Sequence, residues 1–346
     1  MACRIEPLQD ARWDRFVDAH PRSSVFHSTP WLEALRRTYG YRSVAYTTSP
    51  PGNDLRDGVV TCRVASWITG QRLVSLPFSD HCEPLAEGAA DAQTLVSEAA
   101  ETVRRDNAGY LEVRAAQPLA GAAGLYPSTR SYCFHQVDLR PDLAALFAAF
   151  HKSSTQRKIQ RAEREGLLYR SGRSPELLDA FQTVFLMTRR RHGVPPQPVA
   201  WFRNLIDCFG EALQIRVAFQ DERPVAAILT LRHKDTLVYK YGGSDPRFSN
   251  LGGTHLLFWR SIEEAKAGGL RLFDLGRTDW DNTGLITFKD RWGAAQSNLV
   301  YTRLSVSPPS IHAGEGWAGR FARSAISRLP GGLFSLAGSR LYRHIG

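Results

Sequence analysis

Lysine is scarce in this chain: only 6 of the 44 basic residues are lysines, and the other 38 are arginines. Long apolar runs are absent as well, because no stretch approaches the roughly 20 residues that a membrane-spanning helix needs. The first residues, MACRIEPLQDARW, contain no apolar segment of the signal-peptide type. We therefore expect a cytoplasmic protein, either free or located at the inner face of the membrane.

Cysteine is the next scarce residue type. The five cysteines are scattered, their number is odd, and no two of them are separated by two residues. This pattern argues against a disulfide framework and against a zinc site. We therefore expect no metal cofactor.

The length and composition fit a globular protein with two domains of ordinary size. The chain has 346 residues, of which 43% are hydrophobic and 23% are charged. Its net charge of +10 is concentrated in residues 151–173, where seven lysines and arginines stand against two glutamates. Such a patch attracts phosphates, nucleic acid or anionic lipid head groups, and the charge alone does not indicate which of these ligands binds.

Strand and helix patterns alternate along the chain, which predicts an α/β protein. In the first half we expect a helix over 26–40, capped by Ser28 or Thr29 and ended by Gly40. The remaining predicted elements of this half are strands 58–64 and 72–78, a helix over 91–106 and a strand over 109–115.

The same order recurs in the second half, after predicted helices at 141–151, 154–165, 175–192 and 198–209. The recurring elements are strands 223–233 and 236–245, a helix over 254–267 and a strand over 270–276. Aligning RLVSLPFSD with TLVYKYGGSD brings both endings together at Ser-Asp. This agreement predicts one βββαβ unit used twice.

The glycine-containing loop before the helix over 254–267 is the first candidate binding site. Gly252 and Gly253 precede Thr254, a candidate cap, so the helix start would offer free N–H groups and the positive end of its dipole. These features suit a diphosphate. A plain turn that uses the glycines for backbone freedom is the alternative.

The basic helix QRKIQRAEREG carries a second pattern. Arg157, Ile159, Ala162 and Gly166 resemble the motif that opens the second domain of FemABX-like proteins, which are cytoplasmic transferases with two tandem GNAT-fold domains. Two further segments fit that family, SVFHSTPWLEALRRTYG and TRRRHGVPPQPVAWFRNL. The resemblance covers roughly residues 20–304.

The resemblance implies an α/β fold of two GNAT-like domains with mixed central sheets, over 1–135 and 136–304, and a basic helical tail over 305–346. In GNAT acyltransferases the fourth strand splays open beside the acyl donor. A loop with an arginine or glutamine and glycines then binds the pyrophosphate of coenzyme A. Here Arg247 with Gly252 and Gly253 matches that loop loosely, which makes an acyl-CoA or other acyl thioester the expected donor.

Asp274 lies in the strand LRLFDLG between apolar neighbours, and an unpaired buried carboxylate is costly. We expect a partner, with Arg277 or Arg271 nearest in sequence. Two roles remain open for Asp274. It is either half of a structural ion pair or a carboxylate that orients or deprotonates an incoming amine.

The segment GLITFKDRWGA follows, and its pattern predicts a loop and a return strand. In FemABX-like proteins a Phe-Lys followed by an aromatic residue and a glycine sits at the transfer site, which Phe288, Lys289, Trp292 and Gly293 match. A fixed ammonium would stabilise the negative charge that develops on the carbonyl oxygen during acyl transfer, or hold a phosphate. The alternative is a surface lysine at the start of a strand.

Further substrate-binding candidates are spread over both halves. Asp80 follows a strand where the family places acceptor-binding residues, and Arg36 and Arg114 are candidates for acceptor phosphates. In the second half the candidates are Arg157, Tyr241, Ser244, Arg277, Phe288 and Trp292.

The leading hypothesis is an N-acyltransferase that moves an acyl or aminoacyl group directly onto an amine, in a cleft between the domains. The resemblance implies a cell-envelope precursor, small or lipid-linked, as the acceptor. A charged tRNA is the alternative donor, favoured by the basic helix. A rival hypothesis is a non-catalytic protein of this fold that binds polyanions or membranes.

The tail allows two interpretations as well. It contains the linker SPPSIHAGEG and weakly amphipathic basic pieces broken at Pro330-Gly331-Gly332. These pieces either pack on the domains or form a surface helix that docks on an anionic membrane.

Overall fold

The computed structural model describes residues 2–308 and 331–345. Their contacts divide the chain into two compact units. The described part of the first unit comprises 2–132, 298–308 and 339–345, and that of the second comprises 133–297 and 331–338. Each unit is therefore built from separate stretches of the chain. The predicted linker SPPSIHAGEG lies mostly outside the described residues.

The first unit contains a mixed sheet with α-helices. In spatial order its strands are β1 (Cys3–Ile5), β2 (Arg42–Thr47), β3 (Val59–Ser66), β4 (Gly70–Val74), β5 (Tyr110–Ala115) and β12 (Ala295–Ser305, of which residues 298–305 belong to this unit). Its helices are α1 (Ala11–Ala19), α2 (Thr29–Tyr39) and α3 (Ala89–Arg105). Only β4 and β5 pair in parallel among the pairs that we describe in this unit.

The second unit repeats this architecture. In spatial order its strands are β6 (Tyr126–Asp138, of which residues 133–138 belong to this unit), β11 (Leu272–Thr278), β10 (Thr236–Ser244), β9 (Arg223–His233), β8 (Leu213–Gln220) and β7 (Leu168–Gly172). Its helices are α4 (Leu143–Ala149), α5 (Arg157–Arg164), α6 (Pro175–Arg191), α7 (Val199–Phe209), α8 (Gly253–Ala267) and α9 (Thr283–Asp290). The order β8-β9-β10-α8-β11 matches β2-β3-β4-α3-β5 of the first unit, as the predicted repeat requires.

The predicted ends of α2 and α8 are confirmed at their last residues, and Ser28 occupies the cap position of α2 without a capping side-chain bond. Gly40 ends α2 with a φ of +72°, a left-handed conformation that glycine adopts without strain. Gly268 ends α8, and Phe258, Ile262 and Ala265 are buried on its inner face. Thr254 was wrong as the predicted cap, because Gly252 occupies the cap position and Thr254 lies inside the first turn.

The pairing between β10 and β11 ends less than halfway along the two strands. Their parallel pairing covers only residues 236–238 and 272–274, although both strands continue beyond it. Each strand is irregular next to the parting: the register of β10 shifts at Lys240, and that of β11 shifts after Asp274. Such irregularities bend a strand away from its neighbour, so they open the sheet at the end of β10.

The prediction of a loop and a return strand after Asp274 was wrong over 283–290. These residues form α9, whose start is capped by the side chain of Asn282 accepting from the N–H of Leu285 at 3.2 Å. The return strand, β12, begins only at Ala295. Lys289 is consequently a helix residue in the last turn of α9.

The tail contains a described helix, α10 (Gly331–Ile345). This helix begins at Gly331, within the predicted break at Pro330-Gly331-Gly332, and the segment that precedes it lies outside the described residues. In the first unit Tyr342 is buried, and the Tyr41 hydroxyl donates to the carbonyl of Arg343 at 3.0 Å. The end of the tail therefore packs on the first unit. Within 2–308 and 331–345, no helix combines the length and apolarity that crossing a membrane requires.

Candidate functional site

The side chains of Asp274 and Lys289 both form hydrogen bonds with the main chain at the bulge of β11. The Asp274 Oδ1 atom accepts from the N–H of Gly276 at 2.7 Å, and the Lys289 Nζ atom donates to the carbonyl oxygen of Gly276 at 2.7 Å. Lys289 also donates to the carbonyl of Arg277 at 3.2 Å. The two candidate catalytic residues are thus connected through the peptide groups of one glycine.

Both side chains are buried. Asp274 is 1% exposed and Lys289 is 3% exposed, so the predicted alternative of a surface lysine at a strand start was wrong. The ammonium faces main-chain carbonyls, which are partners that offset the cost of burying its charge. Lys289 therefore fixes the path of β11 as it leaves the sheet. Arg277, a substrate-binding candidate, contributes a carbonyl to this arrangement.

A histidine and an aspartate adjoin this network, and the sequence did not single them out. The His135 Nε2 atom lies 3.1 Å from the Asp290 Oδ1 atom. Because a carboxylate accepts, Nε2 carries the hydrogen in this bond. Burial lowers the pKa of His135, although the bond to Asp290 opposes that effect. The position of Asp290 directly after Lys289 was the available signal.

A pocket of about 170 Å³ lies where α8 begins, at the open end of β10. Four predicted residues line it: Ser244, Gly252, Gly253 and Thr254. Phe288 lines it too, from α9. The first turn of a helix carries unpaired N–H groups and the positive end of the dipole. The structure thus brings the predicted donor loop and one residue of the predicted transfer site together.

Two further lining residues, Lys158 and His255, were missed. His255 is buried between Phe288, with ring centroids 5.5 Å apart, and Trp292, at 5.8 Å. Burial, aided by the charge of Lys158, lowers the pKa of His255 to about 3. His255 is therefore neutral at physiological pH. Its place just after the paired glycines was the signal in the sequence.

Helix α5 closes one side of this pocket. Gly252 has a φ of +81°, and a Cβ atom built on it would lie 2.2 Å from the carbonyl oxygen of Lys158. Only glycine allows α5 to approach this closely. The predicted basic helix is thereby fixed beside the donor loop, with Arg157 exposed at its first turn.

Arg247 points elsewhere. Its guanidinium pairs with Asp245, with 3.0 Å between Nε and Oδ1, and this pair borders a separate pocket. The pairing lowers the pKa of Asp245. The loose match of Arg247 to the pyrophosphate loop therefore does not correspond to a side chain in the pocket lined by Gly252 and Gly253.

Two aromatic candidates are core residues. Tyr241 is buried, and its hydroxyl oxygen accepts from the indole N–H of Trp201 at 2.9 Å. Trp292 is 1% exposed and packs against Phe150 and Phe258. Packing against these neighbours accounts for both aromatic side chains.

Two of the three candidates in the first unit, Arg114 and Asp80, are neighbours, whereas Arg36 pairs within its own helix. Arg36 is on the exposed face of α2, where its guanidinium pairs with Glu33 and helps to lower the pKa of that carboxyl to about 2. Arg114 donates to the carbonyls of Leu76 at 2.9 Å and Ser79 at 2.8 Å, which fixes the segment before Asp80. The Asp80 carbonyl accepts from the hydroxyl of Tyr301 at 2.7 Å.

Across the described ranges, no group of three or more His, Cys, Asp or Glu side chains is placed to hold a metal ion.

Comparisons with known proteins bear on the sequence family and the fold. Residues 149–289 match the acetyltransferase (GNAT) domain family. A 95-residue stretch is 28% identical to a UDP-N-acetylmuramoylpentapeptide-lysine N(6)-alanyltransferase of Weissella viridescens, over 27% of this chain. That stretch spans only 28% of the length of the relative.

Solved structures extend the likeness to most of the chain. A crystal structure of FemX superposes with a TM-score of 0.65, at 13% identity, over 87% of this chain and 96% of that one. A tandem GNAT protein from the clavulanic acid biosynthesis pathway gives a TM-score of 0.55, at 12% identity, over 90% of this chain and 99% of that one. Residues 149–289 are therefore similar in sequence to acetyltransferase (GNAT) domains, and the chain has the fold of the FemX and tandem GNAT structures.

Proposed function

We propose that this chain is an N-acyltransferase that moves an acyl or aminoacyl group directly from its donor to an amine. The observation that carries the proposal is the parting of β10 and β11, with Asp274 at its inner end and the pocket of α8 at its outer end. A donor whose phosphates occupy that pocket would extend its acyl group along β10 toward Asp274. Proximity would then supply much of the rate.

The proposed reaction has one bond made and one broken. The amine nitrogen attacks the acyl carbon, the bond from that carbon to the donor's sulfur or oxygen breaks, and the leaving group takes up a proton. We assign to Asp274 the orientation of the amine and the acceptance of its proton. Lys289 would position the Gly276–Arg277 turn beside the reacting atoms and keep a positive charge there.

The size of the pocket bears on the donor. About 170 Å³ is less than the roughly 300–1,000 Å³ of pockets that enclose a drug-sized ligand. A phosphate group fits this volume, and the rest of a nucleotide would lie outside it. We propose an acyl thioester such as acyl-CoA, with its diphosphate at the N–H groups of α8. A charged tRNA is the second candidate, favoured by the basic helix α5 and by the alanyltransferase relative.

The acceptor follows from the same relative. Its name specifies a lysine amine on a UDP-linked muramoyl pentapeptide. We propose an amine of a peptidoglycan or polysaccharide precursor as the acceptor here, free or lipid-linked. The protein would then work at the inner face of the membrane, where the tail would supply the peripheral contact.

Product formation is the direct test. The purified chain is incubated with acetyl-CoA or alanyl-tRNA and with UDP-N-acetylmuramoyl pentapeptide, and mass spectrometry follows the acceptor. Native mass spectrometry reports donor binding in parallel. We expect one donor to bind and to add its acyl mass to the acceptor in the wild type but not in Asp274→Asn.

The rival hypothesis of a non-catalytic polyanion-binding protein makes a different prediction. Neither donor would give a product, and RNA and heparin would bind alike, with an affinity that falls linearly with the logarithm of salt concentration. That combination of results would reject the acyltransferase.

A further inference from the structure

The β3–β4 hairpin of the first unit ends in two exposed apolar side chains. Trp67 is 87% exposed and Ile68 is 50% exposed, in the turn between Ser66 and Gly70. Single exposed apolar side chains are common at protein surfaces and need no explanation. A function for Trp67 and Ile68 must therefore be argued from the residues that surround them.

The hairpin tip is held in a fixed conformation. The Ser66 Oγ atom accepts from the N–H of Ile68 at 3.1 Å and from that of Thr69 at 2.9 Å. The Thr69 hydroxyl donates to the carbonyl of His344 at 3.1 Å, and the Arg72 guanidinium donates to the same carbonyl at 2.8 Å. These bonds attach the tip to the last turn of α10.

The side chain of His344 completes the attachment. Its ring meets the indole of Trp67 edge to face, with centroids 5.7 Å apart, and its Nδ1 atom lies 3.1 Å from the Ser66 hydroxyl. Trp67 is thus supported at one edge while most of its surface stays open to solvent. A rigid, outward-pointing tryptophan loses little conformational entropy when it enters another phase.

The surroundings of the tip are basic. Arg340 and Arg343 are exposed on the last turns of α10. Arg340 lies one helical turn before His344, so both are on the side of the helix that adjoins the hairpin. Neither residues 59–74 nor residues 331–345 contain an aspartate or a glutamate. The exposed charges that these two elements contribute are therefore of one sign.

We propose that Trp67, Ile68, Arg340 and Arg343, named here the hairpin surface, dock the protein on a membrane that contains anionic lipids. Tryptophan favours the interface between lipid and water, and isoleucine favours the hydrocarbon below it. The two guanidinium groups pair with lipid phosphates while the apolar tip inserts. This inference specifies the membrane contact that we proposed above for the tail, and it does not require the acyl transfer reaction itself.

An RNA strand is the other polyanion that an exposed tryptophan with arginines could bind, through stacking of bases. The presence of Ile68 beside Trp67 favours lipid, because an aliphatic side chain offers no stacking face. Lipid binding and RNA binding are distinguished by the same variants.

The test measures binding of the full chain to vesicles by sedimentation. One set of vesicles contains phosphatidylcholine alone, and the other also contains about 30 mol% phosphatidylglycerol, which gives a negative surface potential. The double variant Trp67→Ser/Ile68→Ser is expected to bind the anionic vesicles at least about tenfold more weakly than the wild type. Replacing Arg340 and Arg343 with glutamine is expected to cost about fivefold each at low salt. Unfolding midpoints should stay unchanged, since all four side chains are exposed.

Trp280→Ser is the matched control, because Trp280 is 44% exposed and belongs to the second unit. It is expected to bind vesicles as the wild type does. Equal vesicle binding by the wild type and the double variant overturns the proposal, and so does an equal loss in the control. A loss of binding to an RNA oligonucleotide with unchanged vesicle binding assigns the surface to RNA and overturns it as well.

Discussion

The ammonium of Lys289 donates a hydrogen bond to the carbonyl oxygen of Gly276 at 2.7 Å, and the N–H of the same glycine donates one to the carboxylate of Asp274, also at 2.7 Å. The main chain of a single residue, Gly276, therefore connects the carboxylate of Asp274 on β11 to the ammonium of Lys289 on α9. Substitution of either side chain is expected to disturb the other. The predictions below separate the chemical role of each residue from this structural one.

Asp274→Asn tests the role of the charge. The amide oxygen of asparagine still accepts from the N–H of Gly276, so the bulge is expected to persist. If the carboxylate takes up the proton of the amine, turnover falls by about 100-fold or more. The measurement is kcat and KM between pH 6 and 9, with Asp279→Asn in the adjacent turn as the control. Turnover within threefold of the wild type would rule out a catalytic role for this carboxylate.

Lys289→Met tests the cost of losing the buried donor. The variant keeps the length of the side chain but leaves the carbonyls of Gly276 and Arg277 without this ammonium. We expect the free energy of unfolding to fall by about 2–4 kcal/mol, measured by urea denaturation. Lys266→Met is the matched control, since Lys266 donates to the carbonyl of Leu139 at 2.7 Å at the exposed end of α8. The control is expected to cost less than about 1 kcal/mol.

Equal losses of stability in the two lysine variants would contradict the importance of burial at Lys289. A stable Lys289→Met protein with lost turnover would instead place the ammonium in the chemistry itself, because only the reaction would then need it.

Gly252→Ala tests the contact between α5 and the start of α8. The added methyl would lie 2.2 Å from the Lys158 carbonyl, and the left-handed φ of +81° is strained for alanine. We expect a loss of more than about 2 kcal/mol in unfolding free energy, together with weaker donor binding. Gly40→Ala is the matched control: its φ of +72° and ψ of 16° resemble those of Gly252, but no atom lies within 4 Å. It is expected to lose only about 1 kcal/mol.

His255 predicts a specific pH dependence of stability. Its pKa in the folded protein is about 3, against an ordinary value of 6.5. Between these values the unfolded chain binds a proton that the folded chain does not, so stability falls as the pH falls below 6.5. The slope approaches about 1.4 kcal/mol per pH unit, and above pH 7 the group contributes no pH dependence.

Removing this histidine is expected to remove that slope. Between pH 7.5 and 5.0 the wild type should lose about 2 kcal/mol more unfolding free energy than His255→Gln. Denaturant titrations at both pH values provide the measurement. Parallel losses in the two proteins would show that His255 protonates normally in the fold.

Much of the fold follows from patterns within short stretches. The stop signal of α2 and the buried face of α8 depend on neighbouring residues, and the predicted order of elements reflects them. The predicted strand 72–78 was too long, because β4 ends at Val74 and only β10 ends at the aligned serine. The helix α9 was missed because TGLITFKD is rich in β-branched and aromatic residues, which favour strands. The capping side chain of Asn282 outweighs that preference.

The site was harder to predict than the fold because its partners come from distant segments. The grouping of Gly252, Gly253, Thr254 and Ser244 was predictable, since a loop and its helix are continuous in sequence. The partners of Lys289 were not, because they are main-chain carbonyls that no residue type reveals. The pocket wall formed by Lys158 likewise depends on how α5 packs, which spacing alone does not determine.

The strand β12 has a consequence for how the protein is made. In the first unit residues 110–115 pair with residues 300–305, although the whole of the second unit's sheet lies between them in the chain. Residues 300–305 must therefore leave the ribosome before β5 meets this neighbour. Until then the edge of β5 can pair with wrong partners. The risk of such mispairing during synthesis therefore rises with the time that the ribosome takes to reach residues 300–305.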